Sequence, residues 1–184
     1  TEDQIYQGLD EKKHIDDYVG DRFLEVVAGL DVGYRDENCF VVIGFDGDKY
    51  YIIDEYVSRE STTSELADIV KEKLDFWNID TIYIDSAAQQ TKADFAYDYD
   101  IYCENAIKSV NDGISSLQAL IEQDRMLFDT EGGMHCFSAM SSYKWNPNTE
   151  TPKPVHDWCS HPCDAIRYAI YSHQKMSAIS VYAN

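Results

Sequence analysis

Two short apolar runs, Val26-Val27-Ala28-Gly29-Leu30 and Thr81-Ile82-Tyr83-Ile84, each stop at an aspartate, Asp31 and Asp85. Runs of this length without alternation read as strands buried on both faces. Between them Leu66, Ile69, Val70, Leu74 and Trp77 recur at helical spacing, behind cap candidates in Ser61-Thr62-Thr63-Ser64-Glu65. A helix between two buried strands is the crossover that parallel strands need. The chain is thereby restricted to the α/β class. If the two strands are neighbours, Asp31 and Asp85 emerge at the same end of the sheet, where such folds place their sites.

The remaining pattern extends this frame. Cys39 to Phe45 and Tyr50 to Val57 are β-rich runs joined by Asp46-Gly47-Asp48-Lys49, a good hairpin turn, so the sheet should begin as three antiparallel strands. A helix is expected over Asp94 to Tyr99, a strand over Ile101 to Glu104, and a helix capped by Asn111-Asp112 that buries Ile114, Leu117, Leu120 and Ile121. Met126-Leu127-Phe128 reads as a short edge strand, Phe137 to Tyr143 as a helix, and Asn146 to Pro154 as a hairpin or mobile loop. Pro162 to His173 closes the pattern as a helix with Ala165, Ile166, Ala169 and Ile170 on one face. The expectation is a mixed β-sheet with helices on both faces, spanning residues 25–175. Residues 1–24 show no lasting period and read as a linker or arm, and residues 176–184 as a carboxy-terminal tail.

Composition narrows the function. At 184 residues one domain is the expectation. With 34 acidic against 15 basic residues the net charge is −19, which excludes a protein that coats DNA by bulk electrostatics. Aromatics at 13% exclude a disordered acidic tail. No apolar run approaches the roughly 20 residues that a bilayer requires. Cys39, Cys103, Cys136, Cys159 and Cys163 make an odd count without a disulfide-rich spacing, favouring reduced thiols. A chain opening on Thr1 rather than Met reads as a piece of something longer.

A third acid, Asp164, stands at the start of the last helix. A lone acid at a strand end is usually a solvated turn residue. Three brought together repel one another and need cations, and oxygen-rich sites suit Mg²⁺ or Mn²⁺. Two such ions can activate water and steady the leaving oxygen of a phosphodiester.

Gly29-Leu30-Asp31-Val32-Gly33, Ile84-Asp85-Ser86-Ala87 and His161-Pro162-Cys163-Asp164-Ala165-Ile166-Arg167-Tyr168-Ala169 are the segments that carry these acids. Together they resemble the nuclease domain of the large terminase subunit of tailed bacteriophages. Lys108-Ser109-Val110-Asn111-Asp112-Gly113-Ile114 is similar to that family's Lys-Ser and Gly-Ile segment, and Ser141-Ser142-Tyr143-Lys144-Trp145 to its Tyr-x-Trp stretch. The likeness spans about residues 25–173 in the family's order; Ser160 stands where members often have Asn. It implies a ribonuclease H-like fold. It also implies a metal-dependent endonuclease that cuts concatemeric viral DNA with little sequence selectivity, using Asp31, Asp85 and Asp164 as catalytic metal ligands for two Mg²⁺ or Mn²⁺ ions. The implied partners are double-stranded DNA, a packaging ATPase domain of the same polypeptide, the portal and the small terminase subunit. The implied location is the host cell cytoplasm. The chain has no Gly-x-x-x-x-Gly-Lys-Ser/Thr phosphate loop, so residues 1–24 would be the end of the linker from that ATPase.

Asp157 and His161 are candidate supporting residues, to orient a ligand or move a proton, or else a capping acid and a packed ring. Lys92, Lys108, Lys144 and Lys153 are the candidate DNA-contacting cations, or else ordinary surface lysines. Cys159, His161 and Cys163 with His156 lack a second Cys-x-x-Cys pair, which argues against a zinc site. Arg167 is expected to pack on the last helix or pair an acid. The alternatives are a non-catalytic docking module on the same fold, binding portal or motor proteins, and another ribonuclease H-like nuclease such as a junction resolvase.

Overall fold

The computed structural model describes residues 2–18 and 22–183. Its centre is a sheet of seven strands: β1 (Ile15–Asp16), β2 (Glu25–Asp31), β3 (Glu37–Phe45), β4 (Tyr50–Arg59), β5 (Thr81–Ile84), β6 (Glu104–Asn105) and β7 (Met126–Asp129). Their order across the sheet is β1-β7-β4-β3-β2-β5-β6. β2, β3 and β4 are antiparallel, as expected, while β5 pairs with β2 and β7 with β4 in parallel. At the β3–β4 turn, Gly47 takes the positive φ of 100° that the hairpin needs, and the Asp46 carboxylate accepts the Asp48 and Lys49 amides.

Both faces of the sheet are covered, because its strands alternate apolar residues between two cores. Val27, Val41, Ile43 and Ile52 point into one core with α4 (Val110–Glu122), α5 (Met134–Ser142) and α6 (Ser160–Ala183). Ala28, Phe40, Val42, Ile53 and Ile82 point into the other with α2 (Thr63–Trp77) and α3 (Gln89–Tyr99). α2 starts at a full capping box: the Thr62 hydroxyl accepts the Glu65 amide and the Glu65 carboxylate accepts the Thr62 amide. α6 crosses directly over β2 at Gly29, where an added Cβ would run into the Ala165 backbone carbonyl and lie 3.2 Å from the Ala169 Cβ. Only glycine permits that approach.

Several expectations are corrected. β7 is not an edge strand, since β1 pairs on its far side, Ile15 opposite Phe128. The expected strand over Ile101 to Glu104 reduces to Glu104–Asn105; Ile101 is buried instead where left-handed Asp100 (φ 56°) ends α3 and the Ile101 amide bonds the Phe95 carbonyl. α3 starts at Gln89, well before Asp94, and α4 at Val110, leaving Asn111 and Asp112 inside the first turn rather than capping it. α6 continues through residues expected to form a tail.

The segment read as a linker or arm is anchored to the domain at several described points. Ile5 and Tyr6 are buried in the core, the Ile5 amide bonds the Tyr143 carbonyl at 2.9 Å, and buried His14 bonds Asp124 at 2.8 Å. Residues 19–21 lie outside the described set. These contacts are single backbone pairings and isolated side chains, which leave no period to detect. Residues 146–154 form the hairpin: Trp145 bridges Pro154, and the Asn146 amide bonds the Lys153 carbonyl at 2.7 Å. Among the described residues no helix is long and apolar enough to cross a membrane.

Gly29→Ala should therefore be more damaging than an ordinary glycine replacement within a strand. The clash is with backbone, so α6 must lift from β2, at an overpacking cost of about 1–3 kcal/mol. Denaturant unfolding checks this, with an unchanged midpoint as the contrary result.

Candidate active site

Leu30 of β2 lies opposite Ile84 of β5 in parallel register, so Asp31 and Asp85 stand side by side at the carboxyl ends of adjacent strands. Asp31 shares the α6-facing side of β2 with Val27 and Gly29. Where α6 meets Gly29, the residue preceding Ala165 is Asp164, and the close crossing carries it to Asp31. The two acids sense each other. Burial first, and then the charge of Asp31, push the Asp164 carboxyl up to about 6, against the opposing pull of Arg167.

Each of the three aspartates has a cationic or imidazole partner. His161 Nδ1 lies 2.9 Å from Asp31 Oδ2 and donates to it, and this bond, outweighing burial, raises the ring's pKa. The Lys108 ammonium lies 2.6 Å from Asp85 Oδ1. Burial pushes Asp85 up, but hydrogen bonds from Lys108 and the Ala87 amide outweigh it and hold the carboxyl below its usual range. Arg167 donates to Asp164 Oδ1 at 3.1 Å and also to the carbonyl of Lys108 at 3.0 Å. One buried guanidinium thus ties Asp164 to the segment whose ammonium holds Asp85. Its stem fits because Gly113 faces it: an added Cβ there would lie 2.8 Å from Arg167 Cγ and Cδ. The Tyr168 hydroxyl donates to Asp85 Oδ2 at 3.4 Å, and burial together with Asp31, Asp164 and Asp85 raises its pKa, so it remains a neutral donor.

The other candidate residues divide. His161 is at the site. Asp157 acts as a cap, its carboxylate accepting the Cys159 amide at 2.9 Å ahead of α6. Lys92 sits near Asp85 through Asn105, which it bonds at 3.1 Å and which pairs with Ile84. Lys144 lines a cleft with Asp157 and Trp158, and Lys153 is exposed on the hairpin, whereas Lys108 bonds Asp85 directly. Cys159 and Cys163 are buried thiols whose pKa values burial pushes up, to about 12 for Cys159, as structural rather than ligating cysteines should be. Arg167 pairs an acid as expected, but its bridge to the Lys108 carbonyl was not legible. Tyr168 stands in the sequence only as part of a motif. Its place one residue after Arg167 on a helix that faces the sheet is the signal that was available.

The donor set fits a hard divalent cation. Asp31 and Asp85 end adjacent strands with Asp164 beside Asp31, and these carboxylates offer only oxygen ligands.

Residues 28–172 match the family model described as the terminase RNaseH-like domain. The large terminase subunit of Escherichia phage T5 is 37% identical over 188 residues, covering 93% of this chain and 42% of that protein. The chain thus spans less than half the length of that relative. Among solved structures, the large terminase of a thermophilic bacteriophage in complex with ATP-gamma-S superposes with a TM-score of 0.80 at 21% identity, over 90% of this chain and 44% of that one. The nuclease domain of the large terminase g2p of bacteriophage SPP1 with bound Mn gives 0.68 at 22% identity, over 90% and 97%. The mixed sheet with its antiparallel start is thus the ribonuclease H-like fold. With the family model covering both strand-end aspartates and Asp164, the chain belongs to the terminase RNaseH-like domain family.

Proposed function

We propose that this chain is the nuclease domain of a large terminase: a divalent-metal-dependent endonuclease that hydrolyses the phosphodiester bonds of concatemeric viral DNA, with little sequence selectivity. The observation that carries the reading is the placement of Asp31 and Asp85 at adjacent strand ends with Asp164 of α6 beside Asp31, each acid held by its own partner, His161, Lys108 and Arg167. The SPP1 nuclease domain of this fold holds Mn, which supports a divalent ion here; the reading assigns two, Mg²⁺ or Mn²⁺, to the three acids. Such ions supply Lewis-acid polarisation of the phosphoryl group and a water activated as nucleophile near neutral pH.

The chain's own residues do the positioning. Lys108, with 40% of its side chain exposed, orients Asp85 and presents an ammonium at the edge of the site for a phosphate. Arg167 keeps the Lys108 segment and Asp164 in fixed relation. Tyr168 donates toward Asp85 without becoming charged. With a net charge of −19, DNA is held locally, by Lys108 and Lys92 beside the aspartates and by Lys144 and Lys153 along the hairpin side. In the same reading the domain follows a packaging ATPase domain, works with the portal and small subunit, and acts in the host cell cytoplasm.

Asp31→Asn, Asp85→Asn and Asp164→Asn should each lower plasmid cleavage by more than about a hundredfold, since even outer-shell partners of metal ligands are worth about ten- to a hundredfold. Digestion with Mn²⁺, Mg²⁺ or EDTA reads this. Full activity in any variant removes that residue from the site, and no cleavage by the wild type leaves the docking module as the better reading.

Divalent metal should raise the melting temperature. At a hundred times Kd the linkage is about 2.7 kcal/mol, or roughly 5–10 °C for a domain of this size. Scanning calorimetry with and without Mn²⁺ measures it, and no shift at millimolar ion counts against a preformed site.

DNA binding in Ca²⁺ should be salt-sensitive with a slope of about two to four phosphate contacts, and shallower by about one in Lys108→Ala. A slope unchanged by that substitution takes Lys108 out of the DNA contact.

A further inference from the structure

On the side of His161 away from Asp31 lies a second cluster, made of Asp36 on the loop between β2 and β3, His156 ahead of α6, and His161 itself. Asp36 Oδ2 is 3.7 Å from His156 Nε2 and 4.0 Å from His161 Nε2, and the three ligand atoms all lie within 4.8 Å of one another. We propose that Asp36, His156 and His161 bind one divalent transition-metal ion of the zinc type, separate from the ions assigned to the three aspartates.

The spacing suits it. A tetrahedral ion with bonds of about 2.0–2.1 Å sets its ligand atoms about 3.3–3.4 Å apart, so closure needs only side-chain adjustment. Asp36 and His156, 62% and 73% exposed, are free to make it, whereas His161 is only 12% exposed and already aimed. It donates from Nδ1 to the Asp31 carboxylate, which leaves Nε2 as the nitrogen facing Asp36. A ligating histidine oriented through its other nitrogen by a carboxylate is the usual support of a metal-bound imidazole. The two imidazole rings stand at 84° with centroids 5.5 Å apart, edge to face rather than stacked. The cluster opens into a cavity of about 330 Å³ also lined by Arg35, Glu37, Arg59 and Trp158, which gives water access to a fourth position.

The ligand set selects the ion. Two imidazoles and one carboxylate favour Zn²⁺, Co²⁺ or Ni²⁺ over Mg²⁺, which prefers oxygen and retains its waters. The buried Cys159 and Cys163 thiols take no part. An ion here would clip the β2–β3 loop to the approach of α6, and through His161 would brace the side chain that holds Asp31. The ligands are distinct from Asp85 and Asp164, so the site does not depend on the chain being a nuclease.

Calorimetric titration of the 184-residue chain with Zn²⁺, in millimolar Mg²⁺ to occupy the all-oxygen site, tests the proposal. One Zn²⁺ per chain is expected, bound at least about tenfold more weakly after His156→Ala or Asp36→Asn and unchanged after Asp85→Asn. Both surface variants should melt at the wild-type temperature without Zn²⁺, separating lost ligation from lost folding. No Zn²⁺ binding by the wild type, binding unchanged in both surface variants, or a loss confined to Asp85→Asn would each overturn the site.

Discussion

The contact on which the rest depends is the crossing of α6 over β2 at Gly29. A backbone carbonyl of the helix sits where a side chain would otherwise stand. From that single approach follow the burial of Ala165 and Ala169 on the sheet, the position of Asp164 beside Asp31, and the turn of α6 that carries Arg167 toward α4. Gly113 repeats the device on α4, making room for the Arg167 stem. Two missing side chains let α6 close on β2 and α4 close on α6, and close packing means neither can be restored without moving its neighbours.

That geometry sets an electrostatic problem, which the fold answers locally. Carboxylates gathered at one end of the sheet from two strands and a helix are costly unless paired. The chain spreads its answer over three separate partners, a histidine, a lysine and an arginine, rather than one basic patch. This reconciles a chain of net charge −19 with the anionic substrate proposed for it. The charge that matters to a phosphate is the local one, and the remainder of the acidic surface limits contact elsewhere.

His161 stands between two chemistries. One nitrogen serves Asp31 and the other faces Asp36 and His156. Asp157, by contrast, is spent on the amide of Cys159 and gives α6 its start. Two residues flanking the same motif therefore differ in kind, one contributing to the site's charge and the other to the helix that positions it.

The parallel pairing of β2 and β5, the antiparallel hairpin around Gly47, the capped start of α2 within Ser61–Glu65 and the strand-end placement of Asp31 and Asp85 were all legible in the sequence, because hydrophobic period, turn chemistry and capping act within a few residues of the chain. The order of the motifs was enough to identify the family. What only the tertiary structure decided are the contacts between residues far apart in sequence: β1 covering β7, Ile5 and Tyr6 filling the core from an apparently patternless segment, Lys108 on Asp85, Arg167 bridging Asp164 to the Lys108 carbonyl, and Asp36 facing two histidines. Such pairs leave no local period, since each is made by a single side chain or one backbone bond, and their partners are chosen by the packing of elements far apart in the chain.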